Sequence, residues 1–468
     1  MAAQRGTRVV AGAAALAVPL VVVALVVSLG MTAWGRGDLN RFICDGDCGP
    51  SNVVAPRGLA AAPPPAVAVP SAPEVGPIDP AKLAAAVSPA LDDPVLGPRV
   101  GFAAASPDGT ELFAAGARPY APASTTKVLV AFAALSEIDP GTRFATRVVR
   151  SGDGIALVGG GDPYLATKRA GRNDDRVVRA DLTTLARRTA TALEAAGTTA
   201  VTLGYDASLF LGPATSPAWE PSYLTGNIVT PVSALWVDQG VTDGVRDRDP
   251  AADAARTFAD LLADRGITVD GSPAAVVAGA DAQPVAEVLS APVEQIVETL
   301  VRVSDNQAAE VVLRHVAIAA GRPADFEGGT GAVAAAVQAA GVDATGLVLN
   351  DGSGLSRDNR ITPRLLVQTL GAAARSSRTA GLIADLPVGG FTGTLVGRFA
   401  DLTAARGAVR AKTGTLTGIH SLAGYATDAD GRPVLFAVMA DRADEDQPFA
   451  AQAALDEVAA AIAGCSCG

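Results

Sequence analysis

Ser124-Thr-Thr-Lys-Val-Leu-Val-Ala-Phe-Ala-Ala-Leu135 sets a serine and a lysine three residues apart at the head of an unbroken apolar run. Val128 to Leu135 reads as the buried start of a helix, with Ser124 on its first turn. There a hydroxyl lies at the positive end of the helix dipole, where developing negative charge is favoured. Residues three apart share one helix face. Lys127 can therefore reach the Ser124 hydroxyl and take its proton, provided burial and neighbouring charge lower the pKa of the amine. Taken alone, the string also reads as a serine cap followed by an exposed lysine.

Two further strings change that balance. Ser304-Asp-Asn306 ends the amphipathic helical segment Val293 to Val303 and precedes a second helical run, Ala308 to Ala320. A break between helices can point a hydroxyl and an amide into a cleft; standing alone it is an ordinary interhelical cap. Lys412-Thr-Gly-Thr415 is followed by Leu416 to Ala426, the turn Asp428-Ala-Asp-Gly431 and Val434 to Ala440, a strand, a turn and a strand. A glycine in such a stretch marks close approach of another backbone, here a peptide substrate pairing with the edge, or a bulge.

In this order the three strings are the parts of an active-site serine enzyme that activates its nucleophile with lysine. The chain has four lysines (Lys82, Lys127, Lys168, Lys412) against 37 − 4 = 33 arginines, and two of the four fall within the strings. Where arginine is the default cation, such a lysine points to chemistry that needs an amine able to lose its proton. The joint chance of all three strings in order is roughly a few in a thousand.

The two histidines, His315 and His420, have no neighbouring Asp and Ser in a triad pattern. A triad is spatial, so a Ser-His-Asp enzyme stays formally open; the histidines themselves read as packing or surface residues. No Cys/His/Asp cluster has metal-ligand spacing, and neither a metal nor another cofactor is expected. Gly159-Gly-Gly161 lacks the Gly-Lys-Ser/Thr ending of a phosphate loop and reads as a turn. A net charge of −11 argues against a nucleic-acid or anionic-surface partner.

Other segments join the three strings: Gly160-Gly-Asp-Pro-Tyr-Leu165, Pro231-Val-Ser-Ala-Leu235, Asp351-Gly-Ser-Gly-Leu-Ser-Arg357, Leu386-Pro-Val-Gly389, Gly393-Thr-Leu395 and Arg410-Ala-Lys-Thr-Gly-Thr-Leu416. On these residues, Ile78 to Ala463 resembles the type-4 (class C low-molecular-mass) penicillin-binding proteins, D-alanyl-D-alanine carboxypeptidases/endopeptidases. The Asp351–Arg357 string separates it from class A β-lactamases.

The resemblance implies a serine β-lactamase/D,D-peptidase-like domain and a role for each position. Ser124 attacks the carbonyl of the penultimate D-alanine and Lys127 is the base. Ser304 helps relay the proton to the leaving amine, and Asn306 holds the substrate amide. Lys412 and Thr413 engage the terminal carboxylate, beside Gly414. The backbone N–H groups of Ser124 and Thr415 form the oxyanion hole. Peptidoglycan stem peptides are the implied substrates and β-lactams the implied inhibitors. The interval from Ser124 to Ser304, 304 − 124 = 180 residues, is shorter than in the fullest members, which carry two nested insert domains there. One insert, or a trimmed pair, is expected. A β-lactamase or esterase of the same fold, and a non-catalytic wall-binding scaffold, are the competing readings.

The length of 468 residues supports two or three domains. Val9 to Met31 is almost wholly apolar, follows Arg5 and Arg8, and is long enough to span a bilayer with the N-terminus inside. Residues 1–36 thus read as an uncleaved signal anchor, or as a cleaved signal peptide, and the rest is exported. Residues 37–77, Pro- and Ala-rich from 50, read as an extended tether or as disordered filler. The expected fold is α+β: hairpins at Arg99–Phe113 and in the Leu416–Ala440 region, helices between, and a closing helix Pro448–Ala463. That domain comprises 78–144 plus 291–468, and 145–290 is a smaller inserted α/β domain with helices at Leu182–Ala195 and Ala252–Arg265. The cysteines form two close pairs, Cys44/Cys48 and Cys465/Cys467. The expectation is that one pair bonds the other, since a bridge within Cys-Ser-Cys looks strained; free thiols are the alternative.

Overall fold

The computed structural model describes residues 76–468 apart from 170–176 and 178. The apolar run 9–31, the tether up to residue 75, Cys44 and Cys48 lie outside the described residues. Among the described residues no helix is long and apolar enough to cross a membrane.

The longer elements, in chain order, begin with helix α1 (Pro80–Leu91), the hairpin β1 (Val100–Ala105) and β2 (Glu111–Ala115), and helix α2 (Thr126–Glu137). Next come β3 (Ala145–Ser151), β4 (Gly154–Val158), α3 (Leu182–Ala195), β5 (Leu203–Asp206), α4 (Pro250–Ala263), β6 (Ala274–Ala275) and β7 (Pro284–Leu289). A helical stretch follows: α5 (Val293–Val303), α6 (Asn306–Ala319), α7 (Phe326–Ala339) and α8 (Pro363–Arg375). The chain closes with β8 (Val409–Leu416), β9 (Ile419–Thr427), β10 (Pro433–Ala440) and α9 (Pro448–Ala463).

The main sheet runs β8-β9-β10-β1-β2 and is antiparallel throughout. Strand side chains alternate between faces, and here both faces are apolar because both are covered. Phe102, Leu422, Phe436 and Val438 pack with Leu83 and Val87 of α1 and with Leu455, Val458 and Ile462 of α9. Ala103, Ala423, Leu435 and Met439 face the opposite core, with Leu129 and Phe132 of α2, Leu300 of α5, Leu313 of α6 and Leu366 of α8. The first hairpin thus meets the last helix, and the architecture is α+β: an antiparallel sheet flanked by helices.

A second sheet, β6-β5-β4-β3-β7, lies between α2 and α5 in sequence. Its first and last strands in the sequence lie side by side: β3 pairs antiparallel with β7 from Ala145 opposite Leu289 onward. At the neck Ser290 N donates to Phe144 O at 2.9 Å and Phe144 N donates to Ser290 Oγ at 2.8 Å. The strands and helices α3 and α4 share an apolar cluster that includes Ile155, Leu157, Leu185, Leu193, Phe258 and Leu262. Trp219, Tyr223 and Trp236 of the same stretch pack instead into the main helical core.

Three local expectations are corrected. Leu416 to Ala426 is not one strand, because Gly418, at φ 70, turns the chain between β8 and β9. Ser124 does not lie on the first α-helical turn: it sits in a 3₁₀ turn, Ala123–Thr125, from which α2 continues. Finally, Cys465 is bonded to Cys467, with a Cα separation of 5.1 Å, inside the ordinary range for a bridge. The C-terminal pair is therefore closed on itself and does not link to Cys44 and Cys48. Beside it, Ala429 N donates to Cys465 O and Asp79 N to Cys467 O, fastening the tail to the β9–β10 turn and the entry to α1.

Candidate active site

The head of α2 is held by tight contacts on three sides. Ala123 takes φ 47, a left-handed conformation that costs a non-glycine residue energy. Thr125 Oγ1 and Ser421 Oγ of β9 both donate to Pro122 O, at 2.7 and 2.6 Å. Gly414 of β8 lies against the same turn: a Cβ there would come within 2.6 Å of Pro122 O and 3.1 Å of Ser124 N. The close approach expected at this glycine is thus made by the 122–125 turn of the chain itself.

Lys127, the second residue of α2, is fully buried. Its Nζ lies 3.0 Å from Ser124 Oγ, 2.7 Å from Asn306 Oδ1 and 2.5 Å from the Ser353 carbonyl oxygen. Burial lowers its pKa to about 8, against an opposing pull from the carboxylates of Glu310, Asp351 and Asp305. A buried amine poised there can shed its proton near neutral pH.

Asn306 reaches Lys127 because the chain breaks between α5 and α6. Ser304 caps α5 in the left-handed conformation at φ 60, and Asp305 caps α6 by accepting from Ala308 N at 3.0 Å. Gln239 Nε2 donates to the other Asp305 oxygen at 2.7 Å. Ser304 Oγ accepts from Lys412 Nζ at 2.8 Å, and Lys412 also donates to Thr413 O at 2.7 Å. Lys412 is fully buried. Burial, then the charge of Lys127, pushes its pKa well below the usual lysine range.

β8 is the edge strand of the sheet, paired along its length with β9 and bridged at Arg410 to Val388 on its other side. Along its outer edge Gly389 N donates to Val409 O and Ala411 N donates to Pro387 O. By the two-residue repeat of a strand, the N–H groups of Thr413 and Thr415 point the same way, beyond the end of the 387–389 segment. Thr413 Oγ1 donates to Thr394 Oγ1 at 2.9 Å.

All three sequence strings therefore converge: Ser124, Lys127 and Asn306 form one hydrogen-bonded group and Ser304 and Lys412 a second beside it, with Thr413, Gly414 and Thr415 along the rim of this chain of residues. Sequence reasoning missed Glu310, Ser421 and Thr394. Only Glu310 carried a signal, since it lies four residues after Asn306 and so on the same helix face. The histidines lie apart from this chain. His315 stacks on Phe144, its Nε2 is 2.9 Å from Gly161 O, and burial depresses its pKa to about 4. His420 is buried in β9, its pKa lowered by burial and then by Arg398.

These features recur in known proteins. Residues 83–244 and 241–462 match the family described as D-Ala-D-Ala carboxypeptidase 3 (S13). Carboxypeptidase DacB of Mycolicibacterium smegmatis is 36% identical over 435 residues, covering 88% of this chain and 92% of that protein. A carboxypeptidase of Mycobacterium tuberculosis is 35% identical, covering 83% and 85%. Among solved structures, penicillin-binding protein 4 of Haemophilus influenzae superposes with a TM-score of 0.68 at 22% identity, covering 82% of this chain and 98% of that one, which establishes a common fold. With the family match running across both sheets and all three strings, the chain belongs to the D-Ala-D-Ala carboxypeptidase 3 (S13) family.

Proposed function

We propose that Ser124 is the nucleophile and Lys127 the base of a serine D,D-carboxypeptidase/endopeptidase. Its substrates are peptidoglycan stem peptides, from which it removes the terminal D-alanine or whose D-alanyl cross-links it cleaves. The observation that carries the roles is the set of three partners on Lys127 Nζ. Asn306 Oδ1 and the Ser353 carbonyl can only accept. A neutral amine gives its two N–H bonds to them and turns its lone pair on the third partner, Ser124 Oγ.

The reaction follows from that arrangement. The Ser124 proton moves to Lys127 as Oγ attacks the penultimate D-alanine carbonyl. The oxyanion is met by the N–H groups of Ser124 and Thr415, each such donor supplying about 3 kcal/mol in enzymes of this kind. Ser304 Oγ, held by Lys412, relays the proton from Lys127 to the leaving amine, which leaves Ser304 a hydroxyl and Lys127 neutral again, and the C–N bond breaks to give the acyl-serine and free D-alanine. Water then attacks the ester, with Lys127 again as base. Lys412 and Thr413 hold the terminal carboxylate, Gly414 keeps the strand against the nucleophile turn, and Asn306 holds the substrate amide. A β-lactam acylates Ser124 by the same step, but its leaving group stays tethered and the ester persists.

The enzyme works outside the cytoplasm, where peptidoglycan lies. We take residues 9–31 as a signal anchor or cleaved signal that delivers it there, 37–77 as the tether, and 145–290 as an insert in the D,D-peptidase domain. A stem peptide ending in D-Ala-D-Ala, incubated with the full chain, tests the function. Free D-alanine is expected from the wild type and none from Ser124→Ala. Equal release from both would overturn the assignment.

A further inference from the structure

Glu310 stands outside the three strings, yet it is among the most buried acids of the described residues, only 2% exposed. It shares a face of α6 with Asn306. Its carboxylate accepts from Gly352 N, at 3.1 and 3.0 Å to the two oxygens, and from Ser353 N at 2.7 Å. The carbonyl of that same Ser353 accepts from Lys127 Nζ. The far side of the loop is fixed by Asp351, itself fully buried, which accepts from Gly354 N, Ser356 N, Asn359 Nδ2 and Trp219 Nε1. There is no slack at Gly352, where a Cβ would come 2.9 Å from Ala309 O.

We propose that Glu310 is a positioning residue for Lys127: by holding the Gly352 and Ser353 N–H groups it aims the Ser353 carbonyl at the lysine, and so aims the lysine's lone pair at Ser124. This rests on Lys127 being the base. The arrangement makes the amine's orientation depend on a carboxylate that never touches substrate. It also places a negative charge behind the amine. The ionisable groups acting on Lys127 are Glu310 and Asp351 from the far side, Asp305 from the helix break and Lys412 from β8. Glu310 heads the carboxylates that stabilise the protonated amine. Burial and the nearby Asp351 raise its own pKa to about 7, below that of Lys127, so the carboxyl is mostly ionised where the amine loses its proton.

Removing the charge should therefore do two separate things. The amine should lose its proton at lower pH, and its aim should loosen. The test is the pH dependence of the rate at which benzylpenicillin acylates the full chain, read by intact mass, for wild type, Glu310→Gln and Glu310→Asp. Wild-type acylation should rise with pH through Lys127 titration. In Glu310→Gln that rise should move about one pH unit toward acid, and the high-pH plateau should fall about tenfold or more. Glu310→Asp keeps the charge but draws the oxygens back from the loop. Its rise should stay in place while its plateau falls; if the Gln variant does not fold, a wild-type plateau in the Asp variant still overturns the proposal. A role confined to supporting the fold would lower the plateau without moving the rise. A Gln variant with an unmoved rise, or an Asp variant with a wild-type plateau, overturns the proposal for Glu310 alone. A wild type whose acylation shows no rise between about pH 6 and about pH 9 overturns Lys127 as base, and the proposal with it.

Discussion

Lys127 Nζ donates to Asn306 Oδ1 across 2.7 Å, a bond that joins residues 179 positions apart in the chain. It closes the gap between the head of α2 and the α5–α6 break, so the base is held from two elements at once. The consequences are specific to an amine that is buried, bonded and easily deprotonated.

The first concerns pH and the identity of the base. Only neutral Lys127 can take the Ser124 proton, so acylation should be slow in acid and rise through about pH 8. Lys127→Arg keeps a cation that does not deprotonate in proteins. Its acylation rate should lie about 10²–10⁴ below the wild-type plateau in alkali and show no rise with pH, so that the gap narrows in acid. Stopped-flow or mass-based acylation rates from pH 5 to 10 check both points.

The second concerns stability. The pKa of Lys127 is lowered to about 8 in the folded chain, against about 10.4 when unfolded. Between these values the unfolded state binds the extra proton, so stability must rise with pH across that window. The group's contribution is lowest below about pH 8 and is regained by about pH 10.4. Lys127→Met lacks this term. In paired thermal melts the wild type should gain on the variant as pH rises from about 7 to about 10, and a constant difference would contradict the burial argument.

The third concerns β8. Gly414→Ala would drive a methyl group into Pro122 O and toward Ser124 N. The strand and the nucleophile turn must then separate. Acylation should fall about 10²-fold or more, with circular dichroism close to that of the wild type. An alanine variant that acylates normally would show that the two elements need not touch.

The fourth concerns Lys412, whose amine is depressed by burial and by the charge of Lys127. A substrate carboxylate arriving there should restore its proton. Calorimetric titration with a D-Ala-D-Ala peptide, in buffers of different ionisation enthalpy and with Ser124→Ala to block turnover, should show net proton uptake. The C-terminal amide of the same peptide should show none.

Much of this was readable from residue order alone. Leu182–Ala195, Val293–Val303 and Pro448–Ala463 are helices with the bounds their apolar periodicity indicates, and the two hairpins follow from Ser106-Pro-Asp-Gly109 and Asp428-Ala-Asp-Gly431. Local conformation set by distant contacts was not readable. Ala123 takes φ 47 where the head of α2 packs on β9, which nothing in Ala-Pro-Ala announces. β8 carries Arg410, Lys412, Thr413 and Thr415, so its strand character comes from pairing with β9 and not from alternation. Glu310 looked like one more polar position on a helix; its value comes from Gly352 and Ser353, more than forty residues on. The pairing of Cys465 with Cys467 likewise depends on how the tail settles beside Asp79 and Ala429.

The central claim is that Ser124 is acylated. Intact mass of the full chain after exposure to benzylpenicillin, alongside Ser124→Ala, tests it most directly. The account predicts a persistent adduct of one drug molecule on the wild type and none on the variant. An adduct on both, or a folded wild type that neither gains mass nor consumes the drug, would contradict it.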